Sequence, residues 1–184
     1  MPNDRPGHTD LSDDSLVFQG PPADLATRPV HVLFVIDASG SMAPKAADVH
    51  GGFNAYVARL REDTASSYRL TAVTFDTHVA TLFTDVTLDQ VPTLDETNYR
   101  AGGNTALYDA LGVSLDELTS ALRREGKPYG EERALVIVMT DGEENSSQRF
   151  TKEQVVNAIK SREAAGTWTF VCTWERIRMP ALTW

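Results

Sequence analysis

Val30-His-Val-Leu-Phe-Val-Ile-Asp-Ala-Ser-Gly-Ser-Met42 is the stretch from which the rest of the chain is read. Its first seven residues are almost all apolar, the mark of a strand covered on both faces. The run stops at Asp37, and small polar residues follow at once. Pro44 then stands near the start of a helix, where its missing N–H costs nothing. Val49, Phe53, Tyr56 and Leu60 recur at helical spacing and predict one buried face. Residues 68–75 form a second strand. A tight Asp76-Thr77 turn and residues 78–84 predict a hairpin into an antiparallel edge strand. After a loop containing Pro92, Ala101-Gly-Gly-Asn-Thr105 leads into a helix with Leu107, Ala110, Leu111, Leu115 and Leu118 on its apolar face. The polar residues 123–133 connect to a buried strand at 134–140, which ends on Asp141-Gly-Glu-Glu-Asn145. A helix over 151–165 and a strand at 168–172 follow, with Trp168 and Phe170 as core. Strands alternating with helices give an α/β fold, a mostly parallel sheet with one antiparallel edge strand and helices on both faces.

Around that domain the composition sets limits. The 184 residues carry 17 Lys+Arg against 26 Asp+Glu, a net charge of -9, which excludes a binder of nucleic-acid backbone. A single cysteine, Cys172, excludes an internal disulfide and a thiolate zinc cluster. Residues 1–29, rich in Asp and Pro, read as a disordered leader in which Leu16, Val17 and Phe18 are the docking candidates. With no signal-like or membrane-spanning run, the expected setting is the cytoplasm, away from membranes.

In a parallel sheet, ligands sit at the carboxyl ends of the strands. Asp37 and Asp141 both stand there, and the topology brings Ser39, Ser41 and Thr105 to the same edge. Two carboxylates and three hydroxyls, without imidazole or usable thiol, suit a hard divalent cation, Mg²⁺ or Mn²⁺ ahead of Ca²⁺. Two carboxylates only balance the ion's charge, so it keeps its appetite for an outside carboxylate. Alternation puts Asp37, Ser39 and Ser41 on one side, Gly40 permits the bend, and Gly102-Gly103 let backbone approach the ion. Taken singly, Thr105 is a helix cap, Asp141-Gly142 a turn, and Glu143 and Glu144 solvated loop charges. His8, His31, His50 and His78 read as packing or surface residues, while Tyr99 and Arg100 are placed to touch a ligand.

Asp-x-Ser-Gly-Ser after an apolar strand, Gly-Gly-Asn-Thr-Ala-Leu-Tyr-Asp-Ala-Leu, and Val-Met-Thr-Asp-Gly, in that order, resemble the von Willebrand factor type A domain over residues 30–172. The resemblance implies a doubly wound, Rossmann-like sheet of order 3-2-1-4-5-6 and a metal-ion-dependent adhesion site. In that site Ser39, Ser41 and sometimes Thr105 hold the metal directly, and Asp37 and Asp141 hold it directly or through water. A Glu or Asp of a partner protein fills the last position. It also implies a non-enzymatic adaptor or assembly factor of bacterial type. The competing classes are a metal-dependent phosphatase with Asp37 as nucleophile, which would lack its second carboxylate because Ser39 stands there, and a non-functional truncated remnant.

The family fold continues past the strand at 168–172 with a helix, a sixth strand and a closing helix. Residues 173–184 form instead an irregular, basic, Trp-rich tail. Reading from the third base of the Cys172 codon permits Tyr-Leu-Gly-Ala-Asp-Gln-Asp-Ala, with its Gly and last Ala forced. That peptide is similar to the segment following this strand in bacterial relatives. A frameshift at residue 172 is therefore expected, with the last strand and helices missing and an open edge that lowers stability. Resequencing the gene should reveal a helix-strand-helix pattern in the alternative frame; an immediate stop there removes the explanation.

Overall fold

The computed structural model describes residues 28–124, 132–141 and 144–173. In chain order these form β1 (Val30–Asp37), α1 (Ala46–Glu62), β2 (Tyr68–Phe75), β3 (Val79–Thr87), α2 (Leu107–Arg124), β4 (Arg133–Met139), α3 (Lys152–Ala164) and β5 (Trp168–Thr173). The five strands make one sheet of order β3-β2-β1-β4-β5. β1 lies between β2 and β4 in parallel register, β5 continues parallel beside β4, and β3 closes the other side antiparallel to β2. The leader up to residue 27 and the tail from residue 174 lie outside the described residues, as do Gly142 and Glu143.

The central strand explains why both faces are covered. Its residues from His31 to Asp37 are buried, and their side chains alternate between two cores. Val32, Phe34 and Ile36 pack under α1 with Val49, Phe53, Val57 and Leu60. Leu33 and Val35 face α2 and α3 together with Leu111, Leu115, Val155 and Ile159. Phe34 and Phe53 meet edge to face at 4.8 Å, an arrangement favoured by the aromatic quadrupole. On β5, Trp168, Phe170 and Cys172 point into the second core, and Val171 is the one large exposed apolar residue of the described chain. Among the described residues, no helix is long and apolar enough to cross a membrane.

Several local expectations shift. Val57 joins Val49, Phe53 and Leu60 on the fully buried face of α1, with Tyr56 half-buried against the same core. The helix starts at residue 46, after a tight 3-10 turn over Gly40–Lys45 that contains Pro44. His78 belongs to the turn, with its side chain 88% exposed, and not to β3. β3 itself runs to Thr87, past an irregularity at which Asp85 takes a φ of 49°. Arg123 and Arg124 end α2 and are not part of a loop.

α2 contains Gly112, although glycine weakens a helix interior by ~1 kcal/mol relative to alanine. A Cβ at this position would lie 2.4 Å from the Phe150 ring. Phe150 has little room to yield, since its N–H is held by Asp109 on the same helix at 2.8 Å. Overpacking of this kind costs ~1–3 kcal/mol and outweighs the gain in helix propensity. Gly112→Ala should therefore lower stability by about 1–2 kcal/mol in urea unfolding, and adding Phe150→Leu should restore most of the loss.

Candidate metal centre

Asp37 ends β1 with its side chain fully buried. A buried charge must be met by hydrogen bonds, and both oxygens are met. Oδ1 accepts the Ser39 N–H at 2.7 Å, and Oδ2 accepts the Thr140 hydroxyl at 2.5 Å. The first bond curls the chain so that Ser39 and Ser41 share one side, their hydroxyl oxygens 3.1 Å apart. Ser41 then donates to Asp141 Oδ1 at 3.0 Å across from the end of β4. Asp37, Ser39, Ser41 and Asp141 thus form one continuous polar chain, buried at Asp37 and open to solvent at Ser41. The Lys45 ammonium contacts the other oxygen of Asp141 and closes the open end.

Thr105 reaches the same edge through backbone. Gly40 N–H donates to the Gly103 carbonyl at 3.1 Å, and Gly102 N–H to the Ala38 carbonyl at 2.7 Å, which stitches the loop before α2 to the loop after β1. Gly103 has a φ of 74°, and a Cβ there would lie 3.0 Å from the Asp76 carboxylate, so glycine is required. Gly40 does not need to be glycine for the bend, since a Cβ there meets only ordinary contact, and a Cβ on Gly102 meets open space. Thr105 itself is 4% exposed, its N–H donating to the Asn145 side chain at 2.9 Å while its carbonyl accepts the Asn145 N–H at 3.0 Å. The structure brings the Thr105 backbone into the network; no side-chain bond joins it to the other four.

Other residues depart from their expected roles. Tyr99 does not face a ligand: it is 3% exposed and donates its hydroxyl to the Asp37 carbonyl at 2.6 Å. Burial, with the nearby Asp37 and Asp141 charges, pushes its phenol far above the ordinary range, so it stays protonated as a strut. Arg100 remains exposed beside Glu96. His50 packs edge-on against Tyr99, with centroids 5.4 Å apart. Burial raises the Cys172 thiol to about 11, which removes it as a nucleophile.

Glu144 is not a solvated loop charge. It accepts N–H groups of Tyr108, Ser146 and Ser147 and the Ser147 hydroxyl at 2.6–3.0 Å, tying the loop after β4 to the first turn of α2. Asp109 answers from the helix, accepting the N–H groups of Gln148, Arg149 and Phe150. Burial opposes ionisation of both carboxyls, yet these bonds outweigh it and hold both below their usual values. Glu143 lies outside the described residues.

The donor set agrees with a hard cation. Among the described residues no cluster of three or more His, Cys, Asp or Glu side chains forms, so an ion here would rest on hydroxyls as much as on carboxylates. The Lys45 ammonium lies against the Asp141 carboxylate. Thr140, Lys45 and Asn145 are not singled out by the sequence, and Glu144 stands there only as a solvated loop charge. Thr140 alone carried a signal there, as the residue between the apolar strand and Asp141.

The family model described as the von Willebrand factor type A domain matches residues 31–175. Among solved structures, the manganese-loaded TRAP protein of Plasmodium vivax is similar at 19% identity and a TM-score of 0.55, over 83% of this chain and 60% of that one. The ArnB paralog VWA2 of Sulfolobus acidocaldarius is similar at 17% identity and 0.52, over 80% and 35% of the two chains. Proximal thread matrix protein 1 of the mussel byssus is similar at 19% identity and 0.50, over 80% and 36%. At such identities the likeness is one of fold. The chain spans less than two thirds of the length of each of these solved chains. No curated protein matches the sequence.

Carboxyls held below their ordinary values contribute stability that is present above the unfolded carboxylate range, near pH 4, and lost as pH falls through the lower folded values. Protection factors for the amides of residues 144–150, corrected for the intrinsic pH dependence of exchange, should therefore fall on acidification below about pH 4, before those of the central strands. In Glu144→Gln the loop should already exchange quickly at neutral pH, with a weaker dependence on acid.

Proposed function

The chain belongs to the von Willebrand factor type A domain family, and on that premise we propose that it is a non-enzymatic, metal-dependent protein-binding module, an adaptor or assembly factor. Its ligand in this reading is a partner protein offering a Glu or Asp carboxylate. The observation that carries the proposal is the Ser39–Ser41–Asp141 chain at the carboxyl edge, with a positive charge already drawn to its open end. Ser39, Ser41 and Asp141 would hold Mg²⁺ or Mn²⁺, with Asp37 and Thr105 behind them. A bound divalent ion supplies a Lewis acid with room for one external oxygen ligand.

The protein's part is preorganisation. Asp37 fixes the curl that aims both serine hydroxyls, and Thr140 keeps its carboxylate from turning away. Ser41 is exposed and Asp141 half-buried, so the open side faces an approaching surface and not an enclosed substrate pocket. The engaged, buried state of Asp37 also speaks against the phosphatase alternative. A nucleophilic carboxylate needs a free oxygen within reach of substrate, and both oxygens here are spent on internal bonds. The net charge of -9 disfavours nucleic acid as the partner.

Lys45 is the chain's own competitor for the site. Its ammonium must leave Asp141 before an ion can settle there, and its half-exposed, flexible stem lets it move into water. Calorimetric titration with Mg²⁺ and Mn²⁺ should show one site, lost in Ser39→Ala/Ser41→Ala. Lys45→Met should bind about tenfold more tightly, ~1.4 kcal/mol. Capture of a carboxylate-bearing partner should depend on metal and vanish with chelator and in Asp37→Ala. Should Asp37→Ala fail to fold, Asp141→Asn serves in its place. Equal capture by wild type and a folded site variant, with or without chelator, defeats the reading.

A further inference from the structure

We propose that the cleft between the C-terminal half of α2 and the β1–β2–β3 face binds a small, neutral, mostly apolar molecule carrying one hydrogen-bonding group. The cleft has a volume of about 480 Å³, within the range of small-molecule sites. It lies toward the start of β1, beside His31 and Leu33, roughly 20 Å along the strand from Asp37 at ~3.3 Å per residue. The two sites are therefore separate, and this inference does not rest on metal binding.

The walls specify the chemistry. The floor is hydrocarbon, from Leu33, Val73, Leu118 and Leu122. Ser114 lines the same space with 3% exposure, and its hydroxyl has no hydrogen-bond partner among the described residues. A buried hydroxyl without a partner is costly, and the cleft is where one can be supplied, by water or by a ligand. Two pairs of charges near the mouth are already matched. Arg69 grips both oxygens of Asp85, whose backbone is held by the Thr71 hydroxyl at 3.0 Å, and Arg162 faces Asp116 at 3.7 Å. Glu117 and Arg124, of opposite sign, complete the rim. A charged ligand would meet an apolar floor with counter-charge offered only by Glu117 or Arg124, both exposed to water at the rim, whereas a neutral one loses little solvation and gains the Ser114 bond.

The test is a heteronuclear NMR titration of the full chain with 2-phenylethanol, against phenethylamine and 3-phenylpropionate as its cationic and anionic counterparts. The alcohol should shift the amides of residues 114–122 and of Leu33 while leaving 37–41 in place, and both charged analogues should bind at least tenfold more weakly. Ser114→Ala should weaken the alcohol about fivefold, and Ala121→Trp, which fills the cleft, should abolish the shifts. The proposal is overturned if the three probes bind alike, if the alcohol shifts nothing around Ser114 so that only water occupies the cleft, or if Ser114→Ala binds as wild type. Should the tryptophan variant fail to fold, the probe series and Ser114→Ala decide alone.

Discussion

A carboxylate without solvent is the condition under which the carboxyl edge of this sheet is built. Asp37 is fully buried at the end of the central strand, and a charge there survives only if the protein supplies the hydrogen bonds that water would have given. Two groups supply them. The Ser39 N–H comes from the turn that follows β1, and the Thr140 hydroxyl comes from the end of β4. Satisfying one side chain therefore sets the direction of the loop carrying both serines and locks the neighbouring strand end, from which Asp141 projects. Tyr99 adds a third tie from below through the Asp37 carbonyl.

Around that charge the edge divides its labour. Ser41 is exposed to solvent and the Asp141 side chain keeps only 10% of its surface exposed, while the groups that place them are mostly backbone. The 102–103 and 38–40 segments exchange backbone bonds, and residue 105 exchanges bonds with 145. Carboxylates do the equivalent work one layer out, where Glu144 and Asp109 collect seven donors between the 144–150 loop and α2. Loops held this way present a site with little conformational entropy left to lose on binding. On the proposed metal-binding reading, rigid placement would matter more here than in a four-carboxylate site, because neutral hydroxyls attract an ion weakly and must be in position already.

The strands and the loop order were legible in the sequence because both depend on local pattern. A continuous apolar run is the mark of a strand covered on two faces, and 30–36 became β1. The three oxygen-bearing segments follow such strands or lead into a helix, so the parallel topology alone takes them to one edge. The misses have a common physical cause, since each depends on a partner far away in the chain. Glu144 looked solvated because nothing local shows that the first turn of α2 will offer it an N–H. Tyr99 is a candidate ligand contact by its place just before the Gly-Gly loop, although its hydroxyl is spent on a strand end 62 residues earlier. Nothing in the sequence around Lys45 signals that β4 brings Asp141 to it. The turn placing His78 outside β3, and the irregularity at Asp85, follow from hairpin geometry that alternation does not encode.

α2 connects the two regions of chemical interest and argues for their independence. Its first turns hold the loops of the metal edge, and its last turns roof the cleft at the other end of the sheet. A ligand at one end affects the other only if the helix has two positions of similar energy, since coupling needs a bistable element. Gly112 works against a second position. With no side chain, it lets the Phe150 ring lie directly on the helix, and Asp109 clamps the Phe150 backbone to that same helix. Sliding α2 along the sheet would have to break this contact and the carboxylate ties together. A packed ring against a glycine notch is a register pin, and it makes this helix a fixed beam between two sites.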